Sequence, residues 1–166
     1  MVENEKTVLL LGSNIEPRKA FIADALALLR EEFGSEERLS GIYESEPWGF
    51  DAQVPFLNRV VVFETGKTPQ EVLKICLDVE QKLGRKRKDG SGFVSRTIDV
   101  DVLYFGNKIV ETKNLTIPHP ALHLRRFTLL PLVEVIPGFV HPVLKKDNKA
   151  LLNECADNLN VVLFEG

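Results

Sequence analysis

The sequence predicts an α+β fold, an antiparallel sheet with helices packed on it, and three observations carry that prediction. Apolar runs of strand length stand at Thr7–Leu11 and Val60–Phe63, two segments carry apolar residues at three- and four-residue steps, and Thr97–Phe105 alternates in strand fashion. At 166 residues, 44 % hydrophobic and 27 % charged, the chain has ordinary globular composition with room for one core, so residues 1–166 are read as a single domain.

Thr7 to Leu11 reads as a central strand that leaves into a turn at Gly12-Ser13-Asn14. From Pro17 to Phe33, Phe21, Ile22, Ala25, Leu26, Leu29 and Phe33 form one buried stripe on a helix that Gly34 closes. Arg38 to Tyr43 is a second strand, and Phe56 to Glu64 a third. Thr68-Pro69-Gln70-Glu71 combines an N-cap, a first-turn proline and the acid of a capping box, so a second helix begins at Pro69. Its stripe is Val72, Ile75, Cys76, Val79 and Leu83, and Gly84 suits the left-handed end. Thr97 to Phe105 is the fourth strand, which Gly106-Asn107 turns back through Lys108 to Glu111 as a hairpin. From Leu115 five prolines break the chain into short helices and loops, with a helix near Lys149 to Ala156 and a last strand Val161 to Phe164. Strand, helix, strand, strand, helix, strand is the split βαβ, ferredoxin-like order, with both helices on one face and a C-terminal extension.

Composition narrows the function classes. No apolar run reaches the length of a membrane helix, and the acidic start Met1-Val2-Glu3-Asn4-Glu5 is unlike a secretory signal, so a cytoplasmic protein is expected. Cys76 and Cys155 share no metal or disulfide spacing and read as reduced thiols. The net charge of −3 argues against a nucleic-acid binder, yet Arg85, Lys86, Arg87, Lys88 and Arg96 gather in twelve residues. That local cationic loop suits a small anionic ligand; a solvated surface loop is the alternative.

The loop runs into the chain's strongest chemical signal. Asp99 and Asp101 lie two apart on a strand, hence on one face, about 6.6 Å apart at roughly 3.3 Å per residue. The strand around them is apolar, and paired acids there need cations. Mg²⁺ shared with phosphate satisfies them, since it takes oxygen ligands and leaves positions for substrate; a structural salt bridge to Arg96 is the alternative. Arginine forks on phosphate opposite a carboxylate-held metal form the recurring layout of phosphoryl transfer. His119 and His123 are four apart, but Pro118 and Pro120 break the helix that zinc binding would need, so His119 fits better as a nucleotide contact beside Arg125. Asn58 shares a strand face with Phe56, Val60 and Val62; its amide pairs either with a heterocycle edge or with loop backbone. An RNA-binding sheet of the same topology is a further reading, opposed by the two aspartates on its face. A ligand-sensing relative without catalysis is another.

Gly12-Ser13-Asn14, Tyr43-Glu-Ser45-Glu-Pro47-Trp48-Gly49, Phe56-Leu57-Asn58, Gly84-Arg85-Lys-Arg87-Lys88, Arg96-Thr-Ile-Asp99-Val-Asp101 and Ile117-Pro-His119-Pro, taken in order, resemble the 6-hydroxymethyl-7,8-dihydropterin pyrophosphokinase family of folate biosynthesis. The resemblance implies an ATP-dependent diphosphotransferase that moves pyrophosphate from ATP to the pterin hydroxymethyl oxygen and releases AMP. It implies two Mg²⁺ ions on Asp99 and Asp101, with Arg85 and Arg96 as further catalytic groups. Glu80, Arg87, Lys88, His119 and Arg125 would line the ATP side, and Ser45, Pro47, Trp48, Phe56, Asn58 and Phe127 the pterin side. The implied partners are these two small molecules, with neither nucleic acid nor membrane, and a monomer is expected. Phe93-Val94-Ser95, Asn114 and Pro120 depart from the family pattern, as does Phe56, which lacks a hydroxyl found in other members.

Overall fold

A computed structural model describes residues 3–46, 54–84 and 97–166, together with the backbone of 86–87 and 94–95. In chain order the elements are β1 (Glu5–Ser13), α1 (Arg18–Phe33), β2 (Arg38–Leu39), β3 (Tyr43–Ser45), β4 (Phe56–Thr65), α2 (Pro69–Lys82), β5 (Lys86–Arg87), β6 (Val94–Ser95), β7 (Asp99–Phe105), β8 (Val110–Glu111), β9 (Thr116–Ile117), α3 (Arg126–Val135), α4 (Asn148–Glu154) and β10 (Val161–Leu163). The main sheet runs β10-β3-β4-β1-β7 with β2 also on β4, and its pairings are antiparallel. β4 and β1 occupy its centre, which is why Leu9, Leu11, Val60, Val61 and Phe63 are fully buried.

Alternation along the strands feeds two cores. Leu9, Leu11, Leu57, Val61 and Phe63 point to one face, where Ile22, Ala25, Leu26 and Leu29 of α1 and Val72, Cys76 and Val79 of α2 close over them. Val8, Leu10, Val60 and Val62 point to the other, covered by Leu129 and Leu132 of α3 and Leu151 of α4. The predicted pair of helices shares one face as expected, and the C-terminal extension supplies a second helical layer opposite. α2 starts where its capping box sets it: the Thr68 hydroxyl accepts from the Glu71 N–H at 3.2 Å while the Glu71 carboxylate accepts from the Thr68 N–H at 3.0 Å. Gly84, at φ +104, turns the chain out of it.

Four expectations need correction. β1 does not end at Leu11; Gly12 and Ser13 continue the ladder against Asn58 and Leu57. The second strand is split into β2 and β3, because the Ser40 hydroxyl accepts the Val60 N–H at 2.9 Å and the Glu134 carboxylate takes the Gly41 N–H, so side chains replace ladder bonds. β7 does not alternate to its end. A register shift opposite Val8 and Leu9 puts Leu103 and Tyr104 together in the α3–α4 core and Phe105 with Val100 and Val102 in the other. The hairpin after Gly106 does not form with β7: β8 pairs with β9 instead, while the His119 N–H goes to the Leu103 carbonyl at 3.0 Å. Leu115 and Ile117, buried in the α1–α2 core, draw the chain that way. Both cysteines are free, Cys76 buried and Cys155 half-buried, and among the described residues no helix is long and apolar enough to cross a membrane.

Candidate active site

One line of side chains crosses the open end of the sheet. Tyr43, Asn58, Gly12 and Asp99 are successive cross-strand partners on β3, β4, β1 and β7, and Leu10 opposite Asp101 forms the next line inward. Cross-strand partners share a face, so Asn58 and both aspartates look out on the α3 side. There they wall a cavity of about 260 Å³ with Ser45, Glu46, Phe56, Arg125 and Phe127. Gly12 is required by close approach: a Cβ there would stand 2.7 Å from Asn58 Oδ1.

Asn58 is 3 % exposed, and its Nδ2 finds no hydrogen-bond partner among the described residues. A buried amide donor left open costs free energy that a ligand acceptor can recover. Phe56 and Phe127 give the same cavity aromatic area, and the Arg125 guanidinium lies 5.6 Å from the Phe127 ring centroid. A flat heterocycle with a hydrogen-bonding edge meets these demands.

A second cavity, of about 390 Å³, opens on the outer edge of β7 between α2 and the 113–120 segment. Leu73, Leu77, Val102 and Leu115 supply apolar wall, Thr116 and His119 polar groups, and Asp101 lines this cavity as well as the first. The Val100 N–H points outward from β7 and is held by Glu80 Oε2 at 2.8 Å. Past Val102 the ladder shifts register, and the Leu103 carbonyl faces the same outer edge, where it accepts the His119 N–H at 3.0 Å. Glu80, 4 % exposed, therefore fastens the strand segment between the two aspartates to α2.

His119 Nδ1 accepts the Ala121 N–H at 3.1 Å. Burial pulls its pKa below the usual histidine value and Arg125 adds to the depression, while Asp101 opposes both. With Nδ1 accepting, the neutral form of the ring carries its proton on Nε2, and the residue lines the second cavity. Thr97 closes the neck of the basic segment. Its hydroxyl donates to the Leu83 carbonyl at 2.6 Å, and its own carbonyl accepts from the Ser13 hydroxyl at 2.6 Å.

Of the residues expected at the site, the structure brings Asp99, Asp101, Ser45, Phe56, Asn58, Phe127 and Arg125 to the first cavity and Asp101, Glu80 and His119 to the second. Pro47, Trp48, Arg85, Lys88 and Arg96, and the side chain of Arg87, lie outside the described residues. Thr116 was not singled out, and nothing in the sequence marks it; Gly12 and Glu46 stand in segments that carry the family resemblance but were given no role of their own. The His123 ring packs edge-on against His141, with centroids 6.4 Å apart, and lines neither cavity. The sheet face that an RNA-binding module would present is covered by α3 and α4.

An antiparallel α+β fold in which one carboxylate, Asp101, lines two separate cavities has the layout of an enzyme that brings two ligands together. Residues 8–137 match the model of the 7,8-dihydro-6-hydroxymethylpterin-pyrophosphokinase family. The 2-amino-4-hydroxy-6-hydroxymethyldihydropteridine pyrophosphokinase of Aquifex aeolicus is 41 % identical over 139 residues, covering 84 % of this chain and 85 % of that protein. The Bacillus subtilis enzyme of that name is 38 % identical over 133 residues, covering 80 % and 78 %. The fold is that of the Plasmodium falciparum HPPK-DHPS crystal structure, at TM-score 0.73 and 17 % identity; the match covers 92 % of this chain and 44 % of that longer one. The chain belongs to the 7,8-dihydro-6-hydroxymethylpterin pyrophosphokinases, ATP-dependent diphosphokinases of folate biosynthesis.

Proposed function

We propose that the first cavity binds 6-hydroxymethyl-7,8-dihydropterin, the second binds ATP, and transfer takes place at Asp101, where they meet. The observation that carries this reading is the open Nδ2 of buried Asn58 beside two phenylalanines, a recognition set for an uncharged heterocycle. Asn58 reads the ring edge, Phe56 and Phe127 stack on its faces, and Ser45 borders it; Pro47 and Trp48 are assigned to the same ring by the family resemblance alone. On the ATP side, Leu73, Leu77, Val102 and Leu115 offer the apolar wall that a purine ring needs. His119 donates from Nε2 to a phosphate oxygen, Arg125 neutralises charge from the pterin side, and Glu80 keeps Asp99 and Asp101 in register.

The acid pair fits Mg²⁺. Its donors are carboxylate oxygens alone, and among the described residues no group of three or more His, Cys, Asp or Glu could enclose a metal, so phosphate and water oxygens would complete the shell, as Mg²⁺ prefers. Asp99 and Asp101 would hold two ions, which lower the charge of the triphosphate and polarise the transferring group. The cationic residues Arg85, Arg87, Lys88 and Arg96 serve the same phosphates, by their number and their place in sequence. The pterin hydroxymethyl oxygen attacks the β-phosphorus, the bond from that phosphorus to the α-bridging oxygen breaks, AMP leaves, and the hydroxyl proton passes to solvent.

Phosphorus NMR of Mg-ATP with the pterin and this protein tests the reading. AMP should appear mole for mole with pterin pyrophosphate. ADP with a pterin monophosphate would contradict it.

A further inference from the structure

Arg18 stands in the first turn of α1, on the side of the sheet away from the first cavity. Its side chain is only 13 % exposed. Nη1 donates to Glu44 Oε2 and to the Pro55 carbonyl, both at 2.8 Å, and Nε donates to Glu16. The guanidinium also lies over the Phe164 ring, 5.6 Å from its centroid. Glu44 belongs to β3 and precedes Ser45; Pro55 immediately precedes β4 and Phe56. Ser45 and Phe56 are cross-strand partners at the open end of the sheet, and both wall the first cavity.

β3 is three residues long and pairs with β4 over three positions, so few ladder bonds fix how far apart the two strand ends stand. A single nitrogen that bridges a side chain on one strand and a backbone carbonyl at the start of the other sets that spacing from behind. The planar fork of arginine makes these contacts in fixed directions, whereas a lysine ammonium on a flexible stem does not.

We infer that Arg18 is a positioning residue for the pterin: it holds the β3 and β4 ends so that Ser45 and Phe56 keep the width of the ring slot. This rests on the first cavity being the pterin site. Among the described residues, the partners of Arg18 are Glu16, Glu44, Pro55 and Phe164, none of which lines the second cavity, so its loss acts on one substrate.

The test is calorimetric titration of wild type, Arg18→Ala and Arg18→Lys with a pterin analogue and, separately, with a non-hydrolysable ATP analogue, alongside thermal melting. In Arg18→Ala the pterin dissociation constant should rise about 10-fold or more, the scale on which small misplacements act, while ATP-analogue affinity stays within about twofold of wild type. Arg18→Lys should fall between, and it decides the matter if the alanine variant does not fold. Glu44→Ala added to Arg18→Ala should cost little more, since the two act as a unit. Unchanged pterin affinity in a folded variant would overturn the inference, as would parallel loss of both ligands with melting temperature, the mark of a purely structural role. A wild-type protein that binds ATP analogue but no pterin would overturn the underlying site reading instead.

Discussion

Gly12→Ala isolates the link between a backbone requirement and substrate recognition. The added Cβ would sit 2.7 Å from Asn58 Oδ1, 3.8 Å from Asn58 Cγ and 3.8 Å from the Leu57 carbonyl. Ordinary contact needs about 3.4 Å or more, so the Asn58 oxygen must withdraw by about 0.7 Å. Asn58 is buried, and its amide has room to move only by leaving its rotamer, at a cost of about 0.5–1.5 kcal/mol. Turning the amide also withdraws Nδ2 from the ring edge, and an unmade buried hydrogen bond costs about 1–3 kcal/mol. The rotamer strain is present with or without ligand and lowers stability, whereas the lost hydrogen bond raises the pterin dissociation constant by about 5-fold or more, at about 1.4 kcal/mol per decade. ATP-analogue affinity should stay put, since Gly12 does not line the second cavity. Calorimetry on Gly12→Ala, Asn58→Ala and the double variant supplies the assay, with circular dichroism to verify folding. In the Asn58→Ala background the new methyl meets nothing close, so the second substitution should add almost no loss. Full pterin affinity in Gly12→Ala, or losses that simply add, would refute the reasoning.

Asp101→Asn removes charge and keeps volume; turnover should fall about 10²-fold or more with melting temperature held, and near wild-type Mg²⁺-dependent turnover would remove Asp101 from the mechanism. Thr68→Ala deletes one partner of the capping box of α2 and should cost about 1 kcal/mol, a drop of roughly 2–4 °C in melting temperature by calorimetry. Stability should also fall with acid from about pH 6.5 downward. Burial holds His119 and His141 below the usual value of 6.5, so the unfolded chain binds protons there that the folded chain refuses, and stability is complete above that pH and lost toward the lower folded values. Urea midpoints at about pH 7.5 and pH 5.5 measure the loss, and His141→Gln should shrink it.

The elements whose cause is local were legible in the sequence. Thr68, Pro69 and Glu71 fix the start of α2 through bonds within four residues, and the apolar stripes of both early helices need only a core to face. What escaped prediction depends on contacts far along the chain. The break between β2 and β3 follows from Ser40 reaching Val60 and Glu134 reaching Gly41, and no window around residues 38–45 contains either partner. The pairing of β8 with β9 follows from Leu115 and Ile117 entering the core. For the site, the acid pair was visible because period-two spacing on a strand already puts both groups on one face. The role of Asp101 between two cavities was not, since it depends on β7 lying at the sheet edge with Glu80 behind it.

The central claim is that both substrates meet at the Asp99–Asp101 wall, and paramagnetic broadening by Mn²⁺ measures that most directly. With Mn²⁺ in place of Mg²⁺ and a non-hydrolysable ATP analogue bound, the proton resonances of the pterin hydroxymethyl group should broaden far more than those of the free ligand. The broadening should disappear in Asp101→Asn at pterin concentrations that keep the ring bound. Equal broadening in wild type and variant, or none in wild type with both ligands bound, would contradict the account.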